Sequence, residues 1–501
     1  MNALLKFLNK YIVTTNPIIL GGVFAILFAF CLNVPLWGNM LLAFGSLAQT
    51  DYIAGFPANI METEYLRGYF YKLLMYGVMK TTDLFISWDH YYSYQQLAKF
   101  FYYIFCFGLS FFFLKISLKN SNLKQVFTLW LGFWIIMLLS NYRQFLEAEE
   151  FAVILALGHF LFIYSTNKRL NQLSGIFVLL LFGCKTITIL YAGFGLLYLL
   201  FIEWENKEKI KQIILSHFLF TLLAGVLYAT YLYPEIENIR RAVSYQDSMG
   251  FRGIATILRF LKQFIEFSTF LPVVMILPFA LYYSITKGVR YILLFFFLFV
   301  LSSSVVILQN RFSSPYHYLS FLPMVLLFMF LIKNDVKALI YITLLGALAY
   351  IGFQNFNHTT YLEYASNNYY KDYFNKQLVD YNNLNSTLKT LNAKEILFVS
   401  GDSPPYYVHQ KSANKQCSAM LLFRGVKKES VRESERFKEF YASYVNYQGE
   451  FILLDRLIID IESPYFKELK DKINLNYKEI FRFKNTPKAY DAADVSLYQK
   501  L

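Results

Sequence analysis

The strongest constraint on this chain is a succession of apolar segments. Each approaches the twenty or so residues that a helix needs to cross about 30 Å of hydrocarbon. They lie near 17–36, 95–117, 126–141, 149–165, 171–185, 187–203, 211–232, 268–286, 290–308, 315–332 and 336–353, about eleven expected spans. A backbone inside a bilayer must satisfy its own hydrogen bonds, so these segments read as helices. Apolar residues make up 56% of the 501 and charged residues 16%. That charge content is well under the roughly one quarter found in soluble domains, and it excludes a disordered chain. Three of the four cysteines (Cys31, Cys106, Cys184) fall in apolar stretches, which excludes a disulfide framework. The first segment lacks a small-residue cleavage site and reads as a retained helix.

The basic residues set an orientation. With the N-terminus inside, carrying Lys6 and Lys10, alternate loops hold Lys115, Lys119 and Lys124; Lys168 and Arg169; Lys207, Lys209 and Lys211; Lys287 and Arg290; Lys333 and Lys337. The short connections on the other face hold only Arg143, Lys185 and Arg311. This is the positive-inside pattern, and it absorbs most of the net charge of +13. A nucleic-acid partner is therefore not expected. An odd number of spans places everything after about residue 354 outside, in a plasma (inner) membrane topology.

Composition shifts sharply at that point. Residues 1–353 read as a membrane domain and 354–501 as an extracytoplasmic α/β domain. In the tail, 372–391, 427–441 and 463–473 have helical patterns. EILFVS at 395–400 and FILLD at 451–455 read as buried strands, with further strands at 477–483 and 494–498. Alternating strands and helices predict a small, partly parallel sheet.

No P-loop, dinucleotide fingerprint, HExxH or nucleophile elbow is present, and the six histidines are scattered. The remaining candidates are charged residues on the outer face. The first outer loop holds Asp51, then Glu62, Glu64, Arg67 and Lys72. If 60–75 is helical, Glu64, Gly68 and Lys72 share one face. That is either an acid/base cleft above the bilayer or an interfacial helix with solvated charges. Arg143, Glu149 and Glu150 stand where the third span meets the fourth. A carboxylate at the lip of a span faces a cavity, a partner or water, or is bonded to a neighbouring helix. Lys185 is either a snorkelling residue at a tight outer turn or a phosphate ligand. Arg311 and His317, among Tyr316 and Tyr318, either bind an anion or belong to an interfacial aromatic belt. The loop at 233–267 reads as a surface loop or as a lid.

Taken together, these features resemble the GT-C superfamily of polytopic membrane glycosyltransferases. The match rests on the N-inside topology with an outer C-terminal domain and on Asp51 in a long first outer loop. It also rests on QNRFSSPYHYLSFLP at 309–323, similar to a basic-aromatic "YH-x-L-x-x-L-P" stretch that opens a late span. The tail segment Gly401-Asp402-Ser403-Pro404-Pro405-Tyr406-Tyr407, followed by Phe423-Arg424, is similar to an outer-domain "D-x-P-x-x-Y … R-Y/F" pattern. The likeness is diffuse, and Asp51 lacks the adjacent second acid that many members carry.

The resemblance implies transfer of a sugar from a polyprenyl-phosphate-linked donor to a glycan, lipid or protein acceptor, at the surface of surrounding membrane lipids. A phosphate leaving group needs cations; Arg67, Lys72, Arg143, Lys185, Arg311 and His317 are the candidates, with Glu149 and Glu150 as further substrate-binding groups. The acceptor hydroxyl needs a base, Asp51 first and then Glu64 or Glu62. One base and direct displacement would invert the anomeric carbon. No cofactor is required, although the outer carboxylates leave room for a divalent cation. The alternatives are a lipid or sugar transporter or flippase, and a non-catalytic membrane assembly protein.

Overall fold

The structure is a computed structural model. It describes residues 17–33, 68–87, 90–119, 121, 123–140, 146, 148–232, 236, 254–258, 260, 271–309, 319–332, 368–400, 407–413, 426, 429–433, 435–457, 459–486 and 494–501. The chain divides into two compact units. One holds 1–34, 96–231 and 251–365; the other holds 35–95, 232–250 and 366–501.

The described elements of the first unit are helical. They are α1 (Pro17–Asn33), with α2 (Tyr69–Asp83) following in the second unit, then α3 (Tyr91–Ser117), whose first turn belongs to the second unit, α4 (Leu123–Ser140), α5 (Ala148–Tyr164), α6 (Lys168–Leu173) and α7 (Ile176–Cys184). A 3-10 turn (Thr186–Tyr191) leads to α8 (Ala192–Ile202), α9 (Lys207–Thr230), α10 (Leu271–Lys287), α11 (Val289–Gln309) and α12 (Leu322–Ile332). Among the described residues, three helices are long and apolar enough to cross a membrane: Ser93–Ser117, Lys207–Thr230 and Val289–Leu308. Each lies where the sequence predicts a span. The span predicted at 171–185 is broken into α6 and α7, and the one at 187–203 into the 3-10 turn and α8. The span predicted at 336–353 lies outside the described residues.

Helix α5 is the centre of this unit. It is enclosed from Ala148 to Ile163 and packs against α6, α7, α8 and α12. Its sequence explains why: AEEFAVILALGHFLFIY is apolar on every side, and such a helix is buried all round. Gly158 admits the rings of Phe113 and Phe177, which would stand 2.6 Å from any added Cβ. Helix α9 is the opposite case. Leu215, Phe218, Leu219, Leu222, Leu223 and Val226 are each more than half exposed. Water does not tolerate so continuous an apolar face, whereas a lipid surround does. The first unit is thus a helical membrane bundle.

The second unit ends in a small α/β domain. Its elements are α13 (Asn368–Thr390), β1 (Glu395–Val399), β2 (Lys411–Ser412), α14 (Glu429–Arg432), α15 (Glu435–Val445), β3 (Phe451–Asp455), a 3-10 turn (Pro464–Phe466), α16 (Lys467–Asn476), β4 (Tyr477–Arg482) and β5 (Val495–Lys500). The strand order is β2-β1-β3-β5-β4. β1 pairs in parallel with β2 and β3, and β5 pairs antiparallel with β3 and β4. The expected strands and the mixed sheet are present. One face carries Leu397, Val399, Ile452, Leu454 and Tyr498 against Phe437, Phe440 and Tyr444 of α15 and Leu469 and Ile473 of α16. In the register, Leu397 faces Ile452 and Ile452 faces Tyr498, so the alternation of each strand delivers one apolar set to that layer.

Candidate functional site

Of the residues singled out from sequence, Asp51, Glu62, Glu64, Arg67, Arg143, Arg311 and His317 lie outside the described residues. Lys72 is on α2, in the second unit, and is buried. A single helix over 60–75 does not form: α2 starts at Tyr69, and Gly68 is its extended N-cap (φ −76°, ψ 164°). A glycine with an extended backbone starts the helix there, so no helix runs unbroken through Gly68; Glu64 lies outside the described residues.

Glu149, Glu150 and Lys185 come together at one end of the membrane bundle. Helix α5 and the stretch from α6 through α7 run antiparallel over similar lengths, about 25 Å at 1.5 Å per residue. This brings the start of α5 level with the end of α7. Lys185 closes α7 in an extended conformation, and its ammonium is bonded to Glu149 Oε1. The turn is held from below: the Thr188 hydroxyl donates to the carbonyls of Leu181 at 2.6 Å and Lys185 at 2.8 Å. Glu149 is fully buried, and the Lys185 side chain is 13% exposed.

The neighbouring acid is used differently. The Glu150 carboxylate accepts the Tyr103 hydroxyl at 2.7 Å on Oε1 and the Leu146 N–H at 2.9 Å on Oε2. It stands in the third position of α5, where a carboxylate reaching back to an unpaired N–H is a helix-capping device. It also holds Leu146 in a left-handed conformation (φ 63°), uncommon outside glycine. Glu150 is therefore a fixed structural acid, while Glu149 is an acid matched to a cation. From the sequence, both remained open between function and a bond to a neighbouring helix. Both make such a bond.

Three groups in this bundle escaped the sequence reading. Lys99, within α3, donates from its ammonium to the Cys31 carbonyl at 2.7 Å, in the last turn of α1. A cation suits the carbonyl end of a helix. Tyr191, at the end of the 3-10 turn, is fully buried, and its hydroxyl has no hydrogen-bond partner among the described residues. The turn that it closes packs against α5, the helix that carries Glu149. His159 on α5 and His217 on α9 meet Nε2 to Nε2 at 2.9 Å. His217 Nδ1 faces the Ile213 carbonyl at 2.7 Å, so that nitrogen carries the proton. His159 Nε2 is then the donor between the rings. Gly195 backs His159, with Nδ1 2.8 Å from where a Cβ would stand. The signal for Lys99 and His159 was available: an ionisable residue inside an apolar run is expensive and has a reason to be there.

The tail offers less. Tyr407 is buried and stacks on Tyr381 with centroids 4.4 Å apart. Its carbonyl accepts the Asn385 side-chain amide at 2.9 Å, so this asparagine, the head of an N-x-T sequon, is held within the fold. Residues 401–406 and 423–424 lie outside the described residues. Asp380 is buried beneath the loop after β4. It accepts the N–H and hydroxyl of Thr486 at 2.7 and 2.6 Å and the side-chain amide of Asn485 at 2.9 Å. Burial pushes this carboxyl up, and the bonds from Thr486, Asn485 and the loop backbone outweigh it, holding it below the ordinary carboxylate value.

Among the described residues, no group of three or more His, Cys, Asp or Glu side chains is placed to hold a metal ion. The site is thus an ion pair, a capped acid and a buried phenol at one end of an apolar bundle. No protein-family model, curated protein or solved structure matches the chain.

Proposed function

We propose that this chain is a multi-pass membrane glycosyltransferase. It moves a sugar from a polyprenyl-phosphate-linked donor to an acceptor on the extracytoplasmic face. The observation that carries the reading is the buried Lys185–Glu149 pair at one end of an otherwise apolar bundle. Charge is costly there and is kept where it binds or reacts. The basic loops favour about eleven spans with the N-terminus inside, which puts this end of the bundle and the α/β domain outside.

The chemistry follows from the donor. Its phosphate is already a good leaving group and needs only nearby cations as the glycosidic bond breaks. The acceptor hydroxyl loses its proton to a carboxylate as it attacks, and direct displacement inverts the anomeric carbon. Asp51 is the first choice for that base, with Glu64 and Glu62 after it. Arg67, Lys72, Arg143, Arg311 and His317 are the cations proposed for the phosphate. Glu150 is excluded as a base because both its oxygens are engaged.

The test is transfer of a labelled sugar from a panel of polyprenyl-phosphate sugars in membranes carrying the wild type or Asp51→Asn at equal expression. Loss of roughly a hundredfold or more in the variant supports the reading and the base together. Undiminished transfer moves the base to Glu64 or Glu62. Ionisable groups inside the helices, Lys99 and the His159–His217 pair, favour a second reading, a transporter or flippase. Reconstituted vesicles that flip a lipid-linked sugar without transferring it would select that alternative.

A further inference from the structure

We infer, building on the membrane glycosyltransferase reading, that Glu149, Lys185 and Tyr191 form a binding site for the hydroxyl groups of a sugar ring rather than for the donor phosphate. Two observations meet here. The first is the pairing. Lys185 is bonded to Glu149, with Glu150 next in the chain. A phosphate approaching this ammonium meets carboxylates at close range, so its gain from the cation is offset by repulsion. A sugar hydroxyl suffers no such conflict. It donates to a carboxylate and accepts from an ammonium or a phenol, so neighbouring hydroxyls on one ring match an acid–base pair side by side.

The second observation is Tyr191. Its ring is fully buried and its hydroxyl has no partner among the described residues. Buried hydroxyls are almost always hydrogen-bonded, and an orphan calls for an explanation. This one ends the turn that begins just after Lys185, and that turn packs against α5, the helix that carries Glu149. A ligand hydroxyl placed at the ion pair would give it the missing partner. Phenylalanine would fill the same space, so packing alone does not account for the oxygen.

The test uses the full chain in lipid nanodiscs and measures affinity for a short-chain prenyl phosphate with and without its sugar. The wild type is expected to bind the sugar-bearing form more tightly. Tyr191→Phe should lose roughly five- to tenfold of that advantage, the worth of one hydrogen bond, with binding of bare prenyl phosphate and thermal stability unchanged. The double variant Glu149→Gln/Lys185→Gln removes both charges of the pair together; it should lose more of the same advantage. An unchanged sugar advantage in Tyr191→Phe overturns the inference. So does an equal loss for bare prenyl phosphate in either variant, which would mark a phosphate site. If neither prenyl ligand binds, the lipid-linked donor falls, and a panel of soluble saccharides decides the site: binding weakened by Tyr191→Phe upholds it, and no saccharide binding overturns it.

Discussion

Buried carboxylates are held in two ways in the two units. In the α/β domain, Asp380 is closed in by a single loop whose N–H and hydroxyl groups at 484–486 converge on it. In the membrane bundle, Glu149 is bonded to Lys185 at the end of another helix, and an orphan phenol closes the turn that follows that lysine. The first arrangement is a loop clamp supplied with donors by one short peptide segment. The second depends on a long-range match between two ionised side chains. The difference teaches how to separate structural acids from working ones. A carboxylate saturated by local N–H groups is part of the scaffold, and Glu150, bonded to Leu146 N–H and Tyr103, belongs with Asp380. A carboxylate matched to a cation beside an unpartnered hydroxyl is poised for a ligand.

Breaking the pair from one side should have the largest effect. Glu149→Ala or Lys185→Ala leaves one buried charge without its partner, at a cost of about 3–5 kcal/mol. Folded yield and thermal stability in detergent would show it, and removing both charges together should recover most of the loss. Next comes Asp380→Ala, which strips the loop after β4 of its acceptor and should cost about 2–3 kcal/mol. Its signature is faster proteolysis near Asn485, with the membrane unit unaffected. Acid sharpens the same contrast. The Asp380 carboxyl is held below its ordinary value, so its contribution is fully present above the ordinary carboxylate pKa. As pH falls, the unfolded chain takes up the proton first, and the contribution fades through the lowered folded value. The stability gap between wild type and Asp380→Asn, followed by thermal melts, should hold down to the ordinary carboxylate pKa and close as pH falls below it. The smallest effect is expected at Arg290–Glu205, an exposed pair at 3.3 Å. Glu205→Gln should shift stability by under about 1 kcal/mol.

The sequence made the membrane character and the mixed sheet legible for a physical reason. Apolar runs near twenty residues and short β-rich runs between helices are one-dimensional signals. EILFV and FILLD announce themselves as parallel core strands. The site was only half legible. Glu149, Glu150 and Lys185 stood out as charges at the ends of apolar runs. Their partition into a cap and an ion pair depends on antiparallel packing that places residues 36 apart side by side. Tyr191 was invisible because one tyrosine among 41 carries no signal until its hydroxyl is seen without a partner. Gly68 misled for a local reason: a glycine that reads as a gap on a helix face is the extended residue from which the helix starts.

The end of the bundle around Lys185 and Glu149 is the centre of the proposed working site. The most direct measurement is sugar transfer from polyprenyl-phosphate donors in membranes carrying wild type, Glu149→Gln/Lys185→Gln or Glu150→Gln, each normalised to folded protein. The double variant should lose transfer by roughly a hundredfold or more, while Glu150→Gln should lower folded yield and leave the activity of each folded molecule close to wild type. Full transfer by the double variant would contradict the proposed site.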